Sequence, residues 1–545
     1  MKKLLAIFLA FALLFSLAAC DPESASDEDK KSNKTSFSKQ VVVDNDDCKI
    51  TITKLDLDDK NGPTLKAQLE NKTEGTLLAF TLDTASINGV QTSAYLYQTV
   101  EAGEKETREI VFSDEALAKN DIGDYTDIEL SFRVRDDSDW AAEPVAEETV
   151  HIYPYGEDKA SKYVREEQKS DKVLIDNEYV SIVALDFEDE NEYQDLNLYI
   201  VNKTDDDIEI NADNVSVNGF MANPSFWYSV RAGKSAFSTI TWTESALRYL
   251  DVGDFTDIEM TLMVYQGGNM GGEPYAKETV HYYPEGEDKA ANFEYQMQSS
   301  DQILVDNEYV KIIATGCVED EYAQVVNVLA INKSDKNIGI GVEDTSVNGL
   351  MLEAGYWCDI TAGKAAYEWI SWSNDDFEQL DLGGFTDIEM TFVVTDQDDW
   401  YAGNLAEETV HYYPEGEHNA TQFNYTVQSS DTVLVENQYV DVIITSHGKD
   451  DWGEYTLSLF YENHTDTDLY IAARDVTVNG IALDPYYVED LLVGKCAFLP
   501  MQWSSYTLEE NNITEIAEIT FTLEIDADYG WYTTNLVTES FTLQF

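Results

Sequence analysis

Asn-Gly stands at Asn88-Gly89, Asn218-Gly219, Asn348-Gly349 and Asn479-Gly480, at intervals of 130, 130 and 131 residues. Asn71-Lys-Thr, Asn202-Lys-Thr, Asn332-Lys-Ser and Asn463-His-Thr keep the same period, as do Gly103, Gly233, Gly363 and Gly494. GDYTDIE begins at Gly123, GDFTDIE at Gly253 and GGFTDIE at Gly383, with ITEIAEI from Ile513 as a degenerate fourth copy. Solenoid units run to about 20–50 residues, because none buries a core alone. A period of 130 is long enough for each unit to fold as a domain. The chain is therefore read as four tandem copies of one domain: 41–156, then 157–286, 287–416 and 417–545, the last three each opening with a linker.

Within a copy, short runs of alternating apolar and polar residues are separated by turn signals. The third copy reads YVKIIATG, AQVVNVLAIN, IGIGVEDTSVNG, YEWISWS, DIEMTFVVT and EETVHYYP. Alternation rich in Val, Ile, Thr, Tyr and Trp is the signature of half-buried strands. Six to eight of them in about 115 residues predict an antiparallel β-sandwich. One short helix per copy is expected after a Ser or Thr cap at Ser113, Thr243, Ser373 or Ser504. Trp242, Trp372 and Trp503, with Phe112 in the first copy, share one position and read as core fillers.

The N-terminus supplies an address. Lys2 and Lys3 precede an apolar run from Leu4 to Leu17, and the segment closes as Leu17-Ala18-Ala19-Cys20. Residues 1–19 read as a secretory signal, and the closing tetrad resembles the lipobox of bacterial lipoproteins. That resemblance implies cleavage before Cys20 and a diacylglycerol on its sulfur, which would anchor the protein to the bacterial cell membrane, facing outside the cytoplasm. Residues 20–40 are polar and acidic and hold almost no large apolar side chains, the composition of a flexible tether. With the lipobox and the tandem strand-rich units together, the chain resembles bacterial surface lipoproteins carrying immunoglobulin-like domains. The resemblance implies all-β, immunoglobulin-like sandwiches. The antibody-type Cys…Trp…Cys spacing is absent.

The formal net charge is −71. A surface this acidic repels phosphate backbones and excludes nucleic acid as a partner. Beyond Cys20 the cysteines are Cys48, Cys317, Cys358 and Cys496, at non-equivalent places in the copies. Cys317 and Cys358 alone share a copy and could bridge.

Candidate ligand residues come from aromatics. After every Asn-Gly stands a cluster containing Tyr97, Trp227, Trp357 or Tyr487, and the divergent loop before the last strand presents Trp140, Trp400 with Tyr401, and Trp531. Exposed, such rings stack on sugars; buried, they fill a core. Asp136, Asp137 and Asp139, like Asp396, Asp398 and Asp399, offer enough oxygens for a weak Ca²⁺ site without the EF-hand spacing. The Asn-Gly pairs read as type I′ turns and nothing more, and the Asn-x-Ser/Thr triplets as turns rather than glycan acceptors. No GxSxG, HExxH or P-loop pattern is present, so the chain is read as no enzyme.

The reading is thus a binding or adhesion protein for a protein or glycan partner. A ligand-free stalk and an enzyme of envelope polysaccharide are the alternatives. HIYPYGE at His151, HYYPEGE at His281 and HYYPEGE at His411 return with the period. In the fourth copy Thr542 takes the histidine's place, so the histidine is read as a strand residue at an inter-domain joint rather than a metal ligand.

Overall fold

The structure, a computed structural model, describes residues 35–545 except 58, 60, 61, 113–116, 118, 121, 191, 192, 244–252, 292, 293, 400, 451 and 528–533. The fold is all-β and built from several sheets whose strands pair mostly antiparallel. It divides into two compact units, one ending at Tyr163 and the other running from Val164 to Phe545. The first holds copy 1 and the second holds copies 2 to 4.

The third copy shows the pattern in full. One sheet orders Gln302–Asp306, Val310–Glu319, Ala323–Asn332 and Ala365–Ser373. In the other, Ile338–Val347 pairs with Leu350–Met351, Trp357–Ile360 and Ile388–Asp396, and the last of these pairs with Asn404–Tyr412. Period-2 alternation sends one face of each strand inward. Ile312, Ala314, Val326 and Val328 of the first sheet and Ile340, Met390 and Phe392 of the second belong to one buried cluster. Trp242, Trp372, Trp503 and Phe112 are all at most 2% exposed, as their shared position predicts.

The expected helices are present in two copies, Asn374–Gln379 and Ser505–Glu510. Ser373 and Ser504 cap them by accepting from the backbone N–H of Asp375 and Thr507. Residues 244–252 after Thr243, and 113–116, 118 and 121 in copy 1, lie outside the described residues. The four sequence-matched asparagines are buried knots rather than glycan acceptors. Asn332 donates Nδ2 to Lys336 O and Ile360 O and accepts at Oδ1 from the Ser334 N–H and hydroxyl. Asn71, Asn202 and Asn463 repeat the pattern at 1–3% exposure. Cys48, Cys317, Cys358 and Cys496 are free thiols, so Cys317 and Cys358 do not bridge.

The Asn-Gly turns do more than turn. Positive φ at Asn348 (51°) and Gly349 (82°) gives the type I′ conformation expected. The residue that follows then crosses to the next copy. Phe220 pairs in parallel with Ala365, whose N–H donates to Gly219 O, and Leu350 pairs likewise with Cys496, whose N–H donates to Gly349 O. Each pairing fuses a sheet of one copy to a sheet of the next. Small apolar clusters seal the seams: Phe220, Ile313, Leu329 and Ala365 with Tyr295 and Tyr367, then Leu350, Ile443, Phe460 and Cys496 with Phe423 and Tyr425. The linkers pack against these seams at Tyr295, Phe423 and Tyr425. Met297 and Val427 instead stand 43% and 51% exposed.

Candidate functional sites

The repeated histidine sits in a ladder of charges. His411 Nδ1 lies 2.8 Å from Asp387 Oδ1 and Nε2 lies 3.2 Å from Glu389 Oε2, because Glu389 stands directly opposite the histidine in the strand pairing and Asp387 immediately precedes that strand. The Lys495 ammonium of the fourth copy bonds the same Glu389. Between copies 2 and 3 the arrangement recurs: His281 with Asp257 and Glu259, and Lys364 bonded to Glu259. His151 stands between Asp127 and Glu129 in the first unit. Each ring stacks on the tyrosine two residues on, Tyr153, Tyr283 or Tyr413, with centroids 5.5–5.6 Å apart. The two carboxylates approach opposite ring nitrogens, so they do not converge on a shared metal.

The lysine was legible but unread. It follows the periodic glycine as Gly233-Lys234, Gly363-Lys364 and Gly494-Lys495, whereas copy 1 has Gly103-Glu104. In copy 4 the carboxylates and histidine become Glu518, Thr520 and Thr542; Thr520 and Thr542 face each other across the strands.

The second feature is an aromatic face. Tyr97, Trp227 and Trp357 pair in the same register with the long strand of their own copy and are 43%, 49% and 50% exposed. Val488 takes this place in copy 4. Trp357 lies across Gly339 and Gly341: a Cβ on Gly339 would come 2.8 Å from its Cζ2, and one on Gly341 would come 3.4 Å from its Cε3. One face of the indole therefore rests on bare backbone and half of the side chain faces solvent. Its Nε1 donates to Asp359 Oδ1 at 2.9 Å, which also accepts from Gln397 Nε2 at 2.6 Å. Partial burial holds the Asp359 carboxyl above the usual carboxylate range, against the indole hydrogen bond, which pulls it down.

In copy 1 the structure brings two expected residues together. Trp140 stacks on Tyr97 with centroids 6.5 Å apart, the Arg135 guanidinium lies 4.9 Å from the Trp140 ring, and Tyr97 Oη donates to Asp137 Oδ1. Tyr401 is fully exposed; Trp400 and Trp531 lie outside the described residues. Other aromatics of the clusters turn inward, Phe226 at 8% and Tyr487 at 3% exposed.

The acidic loops use their carboxylates locally. Asp136 accepts from the Ser138 N–H and hydroxyl, bonds that lower its pKa, and Asp139 accepts from Ala141 N and Ala142 N. Asp396 is paired with Lys336 and accepts from Asp398 N, while Asp399 accepts from Tyr401 N. Among the described residues, the one His/Cys/Asp/Glu set with ligand atoms within 4.8 Å of each other is Asp441, Glu462 and His464, which the sequence reading missed. Cys20 lies outside the described residues, and among those described no helix is long and apolar enough to cross a membrane.

No protein-family model matches the chain, and no curated protein does. Among solved structures it is similar to a beta-glucuronidase from glycoside hydrolase family 2, at 6% identity over 86% of this chain and 77% of that one. The TM-score is 0.13, too low to carry any argument about fold or activity.

Proposed function

We propose that this chain is a bacterial cell-envelope lipoprotein, anchored through Cys20 outside the cytoplasm, whose four immunoglobulin-like β-sandwich domains bind a glycan without catalysis. The strand pairing supports the domain reading. In copy 3 the third strand pairs with the seventh, the fourth with the eighth and the eighth with the ninth, as B with E, C with F and F with G do in an immunoglobulin sandwich. The observation that carries the binding reading is the half-exposed ring at one register in three copies, seated in copy 3 on two glycines beside Asp359 and Gln397. A flat ring beside a carboxylate and an amide is suited to a sugar, whose C–H face stacks while its hydroxyls hydrogen-bond. Three such faces on one chain would raise avidity through effective concentration.

The test is a glycan array probed with the chain from residue 20 and with Tyr97→Ala, Trp227→Ala and Trp357→Ala, singly and together. Retention that falls stepwise while the circular dichroism stays native supports the reading. Retention on protein arrays alone would move it to a protein partner, and no retention on either would leave a stalk.

A further inference from the structure

The fourth copy carries a charge arrangement that the others avoid. Glu436, Asp441 and Glu462 stand directly opposite one another on the adjacent strands Thr432–Glu436, Val440–Lys449 and Tyr455–Asn463. His464 follows, with Nε2 3.2 Å from Asp441 Oδ2. The same row in the first copy is Asp44, Lys49 and Glu70 with Lys72 after it. In the second it is Asp176, Ser181 and Val201 with Lys203, and in the third Asp306, Lys311 and Ile331 with Lys333. In each of these three the trailing lysine bonds the first carboxylate of the row. Three rows thus carry their own cation and are neutral or positive. The fourth has three carboxylates and an imidazole. Like charges directly opposite across strands destabilise a sheet, so this arrangement calls for a cation from outside.

We propose that Asp441, Glu462 and His464 bind a divalent transition-metal ion of the zinc type in the place the lysine takes in the other copies. The three residues present ligand atoms within 4.8 Å of one another. An imidazole nitrogen with carboxylate oxygens suits zinc and its neighbours, whereas Ca²⁺ takes oxygen ligands alone. The scaffold is rigid. Asp441 and Glu462 are held by the strand ladder, and the His464 N–H donates to Tyr439 O at 2.9 Å. Asn463 just before it is tied to three backbone carbonyls. Three protein ligands leave further positions to water or to a donor from a partner, and Glu436 adds negative charge beside the ion.

The test is a titration of the metal-stripped full chain with Co²⁺ and then Zn²⁺, beside His464→Lys and Asp441→Lys. Each variant installs a residue type that other copies carry at that position, and His464→Gln serves if either fails to fold. One equivalent of Co²⁺ should give visible ligand-field absorption that Zn²⁺ displaces, with affinity falling by more than about tenfold in every variant. Equal affinity in wild type and His464→Lys, or binding for which Ca²⁺ competes as well as Zn²⁺, would overturn the assignment.

Discussion

Lys495 and Glu389, 106 residues apart in sequence, are ion-paired across the boundary between the third and fourth copies. Their side chains are 10% and 19% exposed, so the pair is largely removed from water. Removing one partner of such a pair leaves a poorly solvated charge, at a cost of about 3 kcal/mol where burial is complete. Lys495→Met should therefore lower the unfolding free energy of the second unit by roughly 2 kcal/mol. The double variant Lys495→Met/Glu389→Leu should recover most of that loss, because the stranded carboxylate goes with it. Urea unfolding of the four members of this cycle measures the coupling. A single variant as stable as wild type would mean that the ladder does not hold the joint.

The ladder begins one step earlier, at Asn348. Its Oδ1 accepts from Thr386 N, Thr386 Oγ1 and Asp387 N, which fixes the backbone of the aspartate that holds His411. Its own carbonyl accepts from Phe423 N in the linker. Asn348→Gly keeps the positive φ and loses the side-chain bonds, so it should cost about 1–3 kcal/mol. Asn348→Asp keeps the three accepted bonds and exchanges the bond to Gly384 O for an acceptor facing an acceptor, so it should cost less than the loss of all four. Thermal denaturation of the two variants ranks them, and the reverse order would show that backbone conformation dominates.

Alternation disclosed the strands and a Ser cap the helices of copies 3 and 4, because each is written locally, while the 130-residue period disclosed the shared tryptophan position of the core. The joints were half legible. Thr542 in place of the histidine marked HYYPEGE as a joint residue, but the part played by Lys364 and Lys495 depends on contacts more than 100 residues away in sequence. The tip after Asn-Gly reads as an ordinary hairpin, and nothing local tells that Phe220 and Leu350 pair with the following copy. The aromatic clusters were ambiguous for a related reason. Period 2 says that neighbours face opposite ways, and only the partner strands decide that Trp357 faces out while Cys358, beside it, faces in.

Gly339 tests the aromatic face without replacing a ligand-contacting side chain. A Cβ there would meet Gln397 Nε2 at 2.1 Å and Trp357 Cζ2 at 2.8 Å, so Gly339→Ala must lift the indole or push the amide away. Alanine is acceptable in a strand, so the fold should persist. Glycan retention should drop about as far as in Trp357→Ala, with a shift in tryptophan emission. Unchanged emission together with unchanged retention would remove the indole seat from the binding account.

Glu368 gives the third copy a pH dependence that its neighbours lack. It pairs across strands with Val328, and the matching positions are Ser238 in copy 2 and Leu499 in copy 4. Burial pushes its carboxyl up from the ordinary 4.5 to about 7. Between those values the folded chain holds a proton that the unfolded chain releases, so stability falls as pH rises from about 4.5 through about 7 and is level above. Glu368→Gln cannot ionise and should be the more stable protein above pH 7, while the two should converge near pH 4.5. The side chain keeps some contact with solvent, so the gain is expected on the order of 1–2 kcal/mol. Urea unfolding of both proteins at intervals from pH 5 to pH 8 isolates this group from the other carboxylates, whose titration is common to the pair. Parallel curves would show that Glu368 ionises in the folded chain as it does in water.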